Sequence, residues 1–394
     1  MPTDIPTPTS ASDRSGGTLG DVAAVFLRLG ATSFGGPAAH TALMRQEVVQ
    51  RRGWVSDAEF LDLLGATNLI PGPNSTELAI HIGYRVAGLW GLIVAGVCFI
   101  LPAAAIVTAI AWFYVRFGQL PAVAGVLYGV KPVIIAIIVQ AFWKLGRTCL
   151  GSWSRRALFG ICLLAAGARV HELLIVLGAG TAVGAWRALR RRGPAPPPGI
   201  AAAITPAWTL SAGMVLGAAQ PFGQLPLFLF FLRVGAVLFG SGYVLVAFLR
   251  AGLVERYGWL TEQQLLDAVA VGQFTPGPVF TTATFIGYLL GGPMGGLLAT
   301  VGIFLPAFVF VGISVPILTR LKASTVARGF LDGVNVASLA LMVAVTWWLA
   351  WTAITDVPTA LLAGASALLL VRFQVNSVWL ILAGAVCGLV MGSP

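Results

Sequence analysis

Apolar stretches, cut at intervals by glycine, proline and short polar clusters, occupy almost the whole chain. Leu89 to Val115, Leu225 to Leu249, Gly295 to Leu318 and Leu331 to Trp351 are each long enough to cross a hydrocarbon core, which takes about 20 helical residues. Lipid offers backbone groups no partners, so such stretches form helices. The pattern predicts six apolar elements in each half: about 20–43, 60–83, 88–115, 122–143, 156–169 and 172–189, then about 225–249, 264–290, 294–319, 329–351, 357–371 and 376–392. The fifth and sixth of each half are short enough to be tilted or incompletely inserted. Residues 1–19 are rich in Pro, Thr, Ser and Gly and carry no apolar core of signal-peptide length, so they read as a disordered tail without a cleavable signal.

The breaks repeat. Phe34-Gly35-Gly36-Pro37, Gly53-Trp54, Pro71-Gly72-Pro73, Gly83-Tyr84 and Leu101-Pro102 are followed 204 or 205 residues later by Phe239-Gly240-Ser241-Gly242, Gly258-Trp259, Pro276-Gly277-Pro278, Gly287-Tyr288 and Leu305-Pro306. Arg28-Leu29-Gly30 matches Arg233-Val234-Gly235, and Gly129-Val130 matches Gly333-Val334. The chain therefore divides into the tail, a repeat over 20–189, a basic and Pro-rich linker over 190–224, and a second repeat over 225–394. Matching Gly and Pro breaks in two apolar halves point to a binding site between repeats, as in secondary transporters.

Charge placement orients the halves. The loop after the fourth element is basic in the first half (Lys144, Arg147, Arg155, Arg156), whereas in the second half the basic loop follows the third element (Arg320, Lys322, Arg328). If basic loops stay in the cytoplasm, the repeats are inverted. Inversion needs an odd number of crossings before the second repeat, and uncharged Ile200 to Phe222 supplies a candidate, giving thirteen in all. This scheme puts Arg45, Arg51 and Arg52 outside unless the first element is a re-entrant hairpin.

Composition sharpens the class. With 58% hydrophobic and 10% charged residues and a mean hydropathy of +0.90, this is an all-α polytopic membrane protein whose solvent is the bilayer. The net charge of +10 sits at the ends of apolar windows, which fits insertion and not nucleic-acid binding. Cys98, Cys149, Cys162 and Cys387 are scattered and support neither a disulfide framework nor a metal cluster. No cofactor is implied.

Candidate chemistry gathers at the breaks. Proline lacks an amide donor and glycine frees the backbone, so Pro71-Gly72-Pro73 and Pro276-Gly277-Pro278 each end one helix and start another. The new helix N-terminus, with roughly half a positive charge, is an anion site that needs no basic side chain. Asn74, Ser75 and Thr76 in one half, and Thr281, Thr282 and Thr284 in the other, add side-chain donors; plain structural kinks are the alternative. Gly35, Gly36 and Pro37 with Gly240, Ser241 and Gly242 form a second pair of breaks, or a close helix contact. His40 is a proton carrier or a hydrogen-bonded structural residue.

Arg28 and Arg233 share one repeat position inside apolar sequence, where a central charge costs about 2.5 to 3.5 kcal/mol; paired guanidiniums suit a tetrahedral dianion, and snorkelling or pairing with a carboxylate such as Asp21 is the alternative. Lys131 adds a third candidate cation and has neutral Asn335 at its repeat position. Glu77 suits proton exchange, or a fixed ion pair with Arg28 or Lys131. The polar segments from Glu47 to Asp62 and from Glu255 to Asp267 read as solvated faces with a weak claim to gating.

Arg28-Leu29-Gly30, Phe34 to His40, Gly53-Trp54, Pro71 to Pro73 and Gly83-Tyr84, with weaker copies from Arg233 to Tyr288, resemble the chromate ion transporter family in its long, two-domain bacterial form. The resemblance implies export of chromate across the bacterial inner membrane at the expense of the proton gradient, with Arg28, Gly35, Gly36, Pro37, His40, Pro71, Gly72 and Pro73 in the path or site. The family pattern often has glutamine on both sides of the first Pro-Gly-Pro, where this chain has Asn68 and Glu77; the second half keeps Gln273. The expected partners are chromate or its analogue sulfate, protons and lipid. A carrier or channel for another small anion stays open, as does a homodimer. A membrane-embedded enzyme is disfavoured by the lack of a nucleophile, base or metal-ligand motif among His40, His81 and His171.

Overall fold

The computed structural model describes residues 17–34, 36–118, 120–168, 170–190, 221–239, 244–314 and 325–391. Seven helical elements recur in the same order in both halves. The first half has α1 (Leu19–Thr32), α2 (Gly36–Arg45, continued as a wider π-helical stretch over Gln46–Arg51), α3 (Asp57–Thr67), α4 (Asn74–Phe117), α5 (Pro121–Cys149), α6 (Trp153–Gly167) and α7 (Glu172–Arg190). The second has α8 (Gln224–Val237), α9 (Leu245–Leu249, continued as a π-helical stretch over Arg250–Arg256), α10 (Glu262–Phe274), α11 (Thr282–Ser314, led in by the tight turn Val279–Thr281), α12 (Thr325–Ala353), α13 (Val357–Arg372) and α14 (Ser377–Met391).

The first two predicted elements of each half are re-entrant hairpins and not crossings. The 14 residues of α1 reach about 21 Å, short of a core about 30 Å thick. After Ser33 the chain turns back, so that Arg28 pairs with Glu47 at 2.5 Å and Arg52, beyond the returning arm, lies 3.7 Å from Asp21 at the start of α1. A second hairpin runs in along α3 and out along the first part of α4, where Arg85 pairs with Glu59. In the second half α8 and α9 pair the same way, with the Phe230 and Tyr257 rings 6.0 Å apart. The expectation of thirteen crossings is corrected accordingly: each apolar window is long enough to span, but its central Gly- or Pro-rich break leaves two arms that are each too short.

At Ala87–Gly88 and Gly291–Gly292 the backbone leaves helical values, and α4 and α11 double back before crossing. Gly83 then faces Gly91, and Gly287 faces Gly295, so closely that a methyl group on any of them would meet the opposite carbonyl oxygen. Among the described residues, five helices are long and apolar enough to cross a membrane, with α8, α13 and α14 shorter. Tryptophans such as Trp90, Trp143, Trp347 and Trp351 are exposed on the outer surface, as lipid-facing side chains are.

The repeats are inverted. Gly125 and Gly129 of α5 lie against Gly388 and Gly384 of α14, an antiparallel contact, and the equivalent Gly329 and Gly333 of α12 lie against Gly184 and Ala179 of α7. Helices α5 and α7 are separated by two reversals, one on each side of α6, and point the same way; α5 and α14 point oppositely, so the repeats do too. They are also interlocked, because α6 and α7 pack on α12 while α13 and α14 pack on α5. The hairpins return the chain to the side it left, which puts Arg45, Arg51 and Arg52 on the same face as Lys144 to Arg156 and removes the conflict in the charge pattern. Most of the linker, residues 200–220 of the candidate extra crossing, and the loop cations Arg320 and Lys322 lie outside the described residues.

Candidate functional site

Four hairpin tips converge between the repeats. The Gly72 amide of the first Pro-Gly-Pro donates to the Leu238 carbonyl at 2.8 Å, and the Gly277 amide of the second donates to the Ser33 carbonyl at 2.9 Å. Each tip thus binds the end of the first helix of the other repeat, at equivalent positions, as a two-fold relation requires. Glycine is needed at both. Gly72 has φ 140° and Gly277 φ 87°, values that favour glycine; a methyl on Gly72 would strike the Glu77 carboxylate, and one on Gly277 would lie 2.6 Å from the Ala103 methyl.

Beyond the tips Pro73 and Pro278 cap the half-helices without a side-chain bond. Thr76 and Thr281 turn their amides back onto the Pro73 and Pro278 carbonyls. Helix geometry leaves the amides of Asn74 and Ser75, and of Val279 and Phe280, without an intrahelical acceptor. These four residues line one cavity of about 240 Å³. Its other walls are Pro37 at the start of α2, Asn68 after α3, Leu145 of α5, Val244 before α9, and Asn335 and Ser338 of α12. A single water needs only about 10–15 Å³, so a small anion with part of its hydration fits. The Asn74 side-chain amide donates to Asn68 at 2.9 Å, while its oxygen is buried without a partner. A larger, open hollow of about 620 Å³ between α5, α6 and α12 touches none of the tips, so its size does not recommend it.

The remaining predicted residues fall into separate places. Pro71, Gly72, Pro276 and Gly277 form the tips, Gly36 opens α2, and Pro37, Pro73, Asn74 and Ser75 line the cavity. Thr76 is fully buried, and Thr281 donates its hydroxyl to the Pro278 carbonyl at 2.8 Å. Gly35, Gly240, Ser241 and Gly242 lie outside the described residues.

The three candidate cations are not among the cavity residues. Arg28 clamps the first hairpin through Glu47, which also receives Arg52 at 2.9 Å and Arg51 at 3.4 Å. Burial alone would raise the Glu47 carboxyl, but Arg52 and Arg28 outweigh it and hold it below the ordinary range. The second repeat has Gly252 where the first has Glu47, so Arg233 lacks that clamp, and its Nε is buried without a hydrogen bond. Lys131 pairs with Asp267 at 3.0 Å. His40 donates from Nε2 to the Ser33 carbonyl at 3.1 Å and packs edge-on to Phe99, which fixes the tip that receives Gly277. Glu77 is 0% exposed, and both its carboxylate oxygens lack a hydrogen-bond partner.

Sequence reasoning passed over Asn335, Ser338 and Asp267 as site residues. The available signal was comparison of repeat positions, since Asn335 replaces Lys131 and Asp267 corresponds to Asp62.

A family model described as "Chromate transporter" matches residues 20–185 and again 225–389. The chain is 36% identical over 384 residues to a chromate transport protein of Cupriavidus metallidurans, covering 93% of this chain and 92% of that one. To a chromate transport protein of Pseudomonas aeruginosa it is 33% identical over 377 residues, covering 92% and 90%. No solved structure matches the chain.

Proposed function

Because this multi-pass membrane chain belongs to the chromate transporter family, we propose that it carries chromate across the bacterial inner membrane by alternating access to the cavity where the four tips meet. One observation carries the reading: two half-helix N-termini, one from each inverted repeat, open onto the same space. Their aligned peptide dipoles amount to roughly half a positive charge each. A tetrahedral dianion would accept from the amides of Asn74, Ser75, Val279 and Phe280, with Asn68, Asn335 and Ser338 offering side-chain donors. No arginine or lysine is among the lining residues, which keeps binding weak enough for release, as transport requires.

We assign the basic face to the cytoplasm and export as the direction of transport. Glu77, buried beside the first tip, is the candidate for proton coupling, and His40 holds the opposing tip. Sulfate has the same shape and charge as chromate and would compete for the site. The reading is that of a carrier and not an enzyme, in keeping with relatives named for transport.

The test is accumulation of labelled chromate in everted vesicles under an imposed proton gradient, with and without sulfate. Gradient-dependent accumulation that sulfate inhibits is expected. Flux indifferent to the gradient would remove proton coupling, and accumulation of sulfate with none of chromate would reassign the substrate.

A further inference from the structure

The two-fold relation maps the cavity onto a second position that is closed. Pro73, Asn74 and Ser75 correspond to Pro278, Val279 and Phe280, which share the open cavity, but Asn335 corresponds to Lys131 and Ser338 to Ile134. Ile134 is fully buried, and so is Leu349, the counterpart of cavity-lining Leu145. Lys131 and Asp267 pair at 3.0 Å with side chains only 7% and 2% exposed, and the Tyr114 hydroxyl donates to the other Asp267 oxygen at 2.7 Å. This cluster joins the second hairpin of repeat two to α5 and α4 of repeat one.

The packing follows the same division. α10, which carries Asp267, packs on α11 as its counterpart α3 packs on α4, and in addition lies against α5, α12 and α14. The hairpins of the first repeat enter from the basic face, so the space beneath α3 leads toward the cytoplasm. Those of the second enter from the opposite face, where α10 seals against α5.

We infer that Lys131, Asp267 and Tyr114 form the lock that keeps the periplasmic access route shut while the cavity is open to the cytoplasm. This rests on the carrier reading. Opening outward parts α10 from α5 and separates Lys131 from Asp267, while α3 closes toward α12, where neutral Asn335 replaces the lysine. Breaking the lock therefore favours the outward-open form: the pair stabilises the inward-open form alone, and neutral Asn335, at the repeat position of Lys131, offers no ion pair at the matching place on the cytoplasmic side.

The experiment reads access and not chromate flux, so it fails independently of the substrate assignment. In a full-length chain with Cys98, Cys149, Cys162 and Cys387 replaced by alanine, a single cysteine is introduced by Ser338→Cys or Ile134→Cys. Each is treated with a membrane-impermeant maleimide in everted and in right-side-out vesicles. Ser338→Cys should react from the cytoplasmic face and Ile134→Cys from neither. Adding Asp267→Asn should raise periplasmic labelling of Ile134→Cys on the order of tenfold or more and lower cytoplasmic labelling of Ser338→Cys. The charge-exchanged pair Lys131→Asp with Asp267→Lys should restore the parental pattern, which a generally loosened protein would not do. Unchanged labelling of Ile134→Cys in the Asp267→Asn chain, or equal labelling from both faces, overturns the proposal.

Discussion

Replacing Gly277 by alanine separates backbone strain from crowding at the site where the repeats are joined. At φ 87° an L residue costs about 1–2 kcal/mol. The new methyl would also lie 2.6 Å from the Ala103 methyl and 2.9 Å from the Gly30 carbonyl oxygen, crowding that costs about 1–3 kcal/mol in a packed interior. The sum is about 2–5 kcal/mol, concentrated where the Gly277 amide meets Ser33. Two controls isolate the terms. Gly53 has φ 62° with nothing within 4 Å, so Gly53→Ala keeps the strain of about 1–2 kcal/mol alone. Gly364 lies within α13 with an ordinary φ and open space, and alanine there should gain about 0.5–1 kcal/mol. Heating purified protein in detergent and measuring the fraction that stays monodisperse should rank Gly277→Ala lowest, then Gly53→Ala, then the parent, then Gly364→Ala. Adding Ala103→Gly to Gly277→Ala should recover part of the loss by removing the nearer obstacle. Equal losses for Gly277→Ala and Gly53→Ala would refute the claim that the tips are tightly packed against each other.

Asn335→Asp sets a carboxylate on the cavity wall; at roughly 6 Å and an effective dielectric near 20, each unit of like charge costs about 2.8 kcal/mol. Chromate or sulfate affinity should fall at least about a hundredfold by competition binding, and much less for Asn335→Gln. Glu77→Gln should leave equilibrium anion binding within about threefold while abolishing the response of chromate flux to a pH gradient; an intact response would exclude Glu77 from coupling. Arg28→Gln should lower heat resistance by about 1 kcal/mol, the scale of a part-exposed ion pair, and leave chromate affinity in the folded fraction unchanged; a large loss of affinity would return Arg28 to the path. Glu47, held below its unfolded value by Arg52 and Arg28, contributes stability that is present above the unfolded pKa of about 4.3. That contribution is lost as acid brings the pH down through the folded value, so Glu47→Gln should flatten the acid limb of a stability profile.

The repeat, the helical class and the two Pro-Gly-Pro breaks were legible because glycine and proline act locally: they set φ and remove a donor whatever surrounds them. Hairpins were harder to read. A window such as 20–43 has the length and hydropathy of a crossing, and its folding back shows only in pairs apart in sequence, Arg28 with Glu47 and Arg52 with Asp21. The charge pattern did register the problem through Arg45, Arg51 and Arg52. The two Pro-Gly-Pro helix starts were legible, and their residues line one cavity, but Arg28 is held elsewhere by Glu47, a partner that only three dimensions disclose, and Arg233 is not among the cavity residues. Lys131 shows the limit clearly. As an isolated intramembrane cation it suits an anion ligand, and Asp267, 136 positions away in the chain, neutralises it.

The interlocking of the repeats decides what can move. If each repeat rocked as a unit, α6 and α7 would be carried away from α12, and α13 and α14 from α5, although these are among the most extensive helix contacts in the protein. Close approach of Gly129 to Gly384 and of Gly333 to Ala179 leaves those pairs no slack. The hairpins are different. The first repeat's pair has its own apolar cluster around Phe26, Phe60 and Phe99, separate from the large cluster that unites both repeats. It therefore has the packing of a body that can shift against a frame built from α5, α7, α12 and α14. The cross-repeat bonds at Gly72 and Gly277 lie at the tips, where such a shift has its smallest lever arm, so the tips can stay joined while the mouths of the hairpins open and close in turn. On the carrier reading proposed above, alternating access needs a tilt of the hairpin pairs about their shared centre, with the anion held at the pivot.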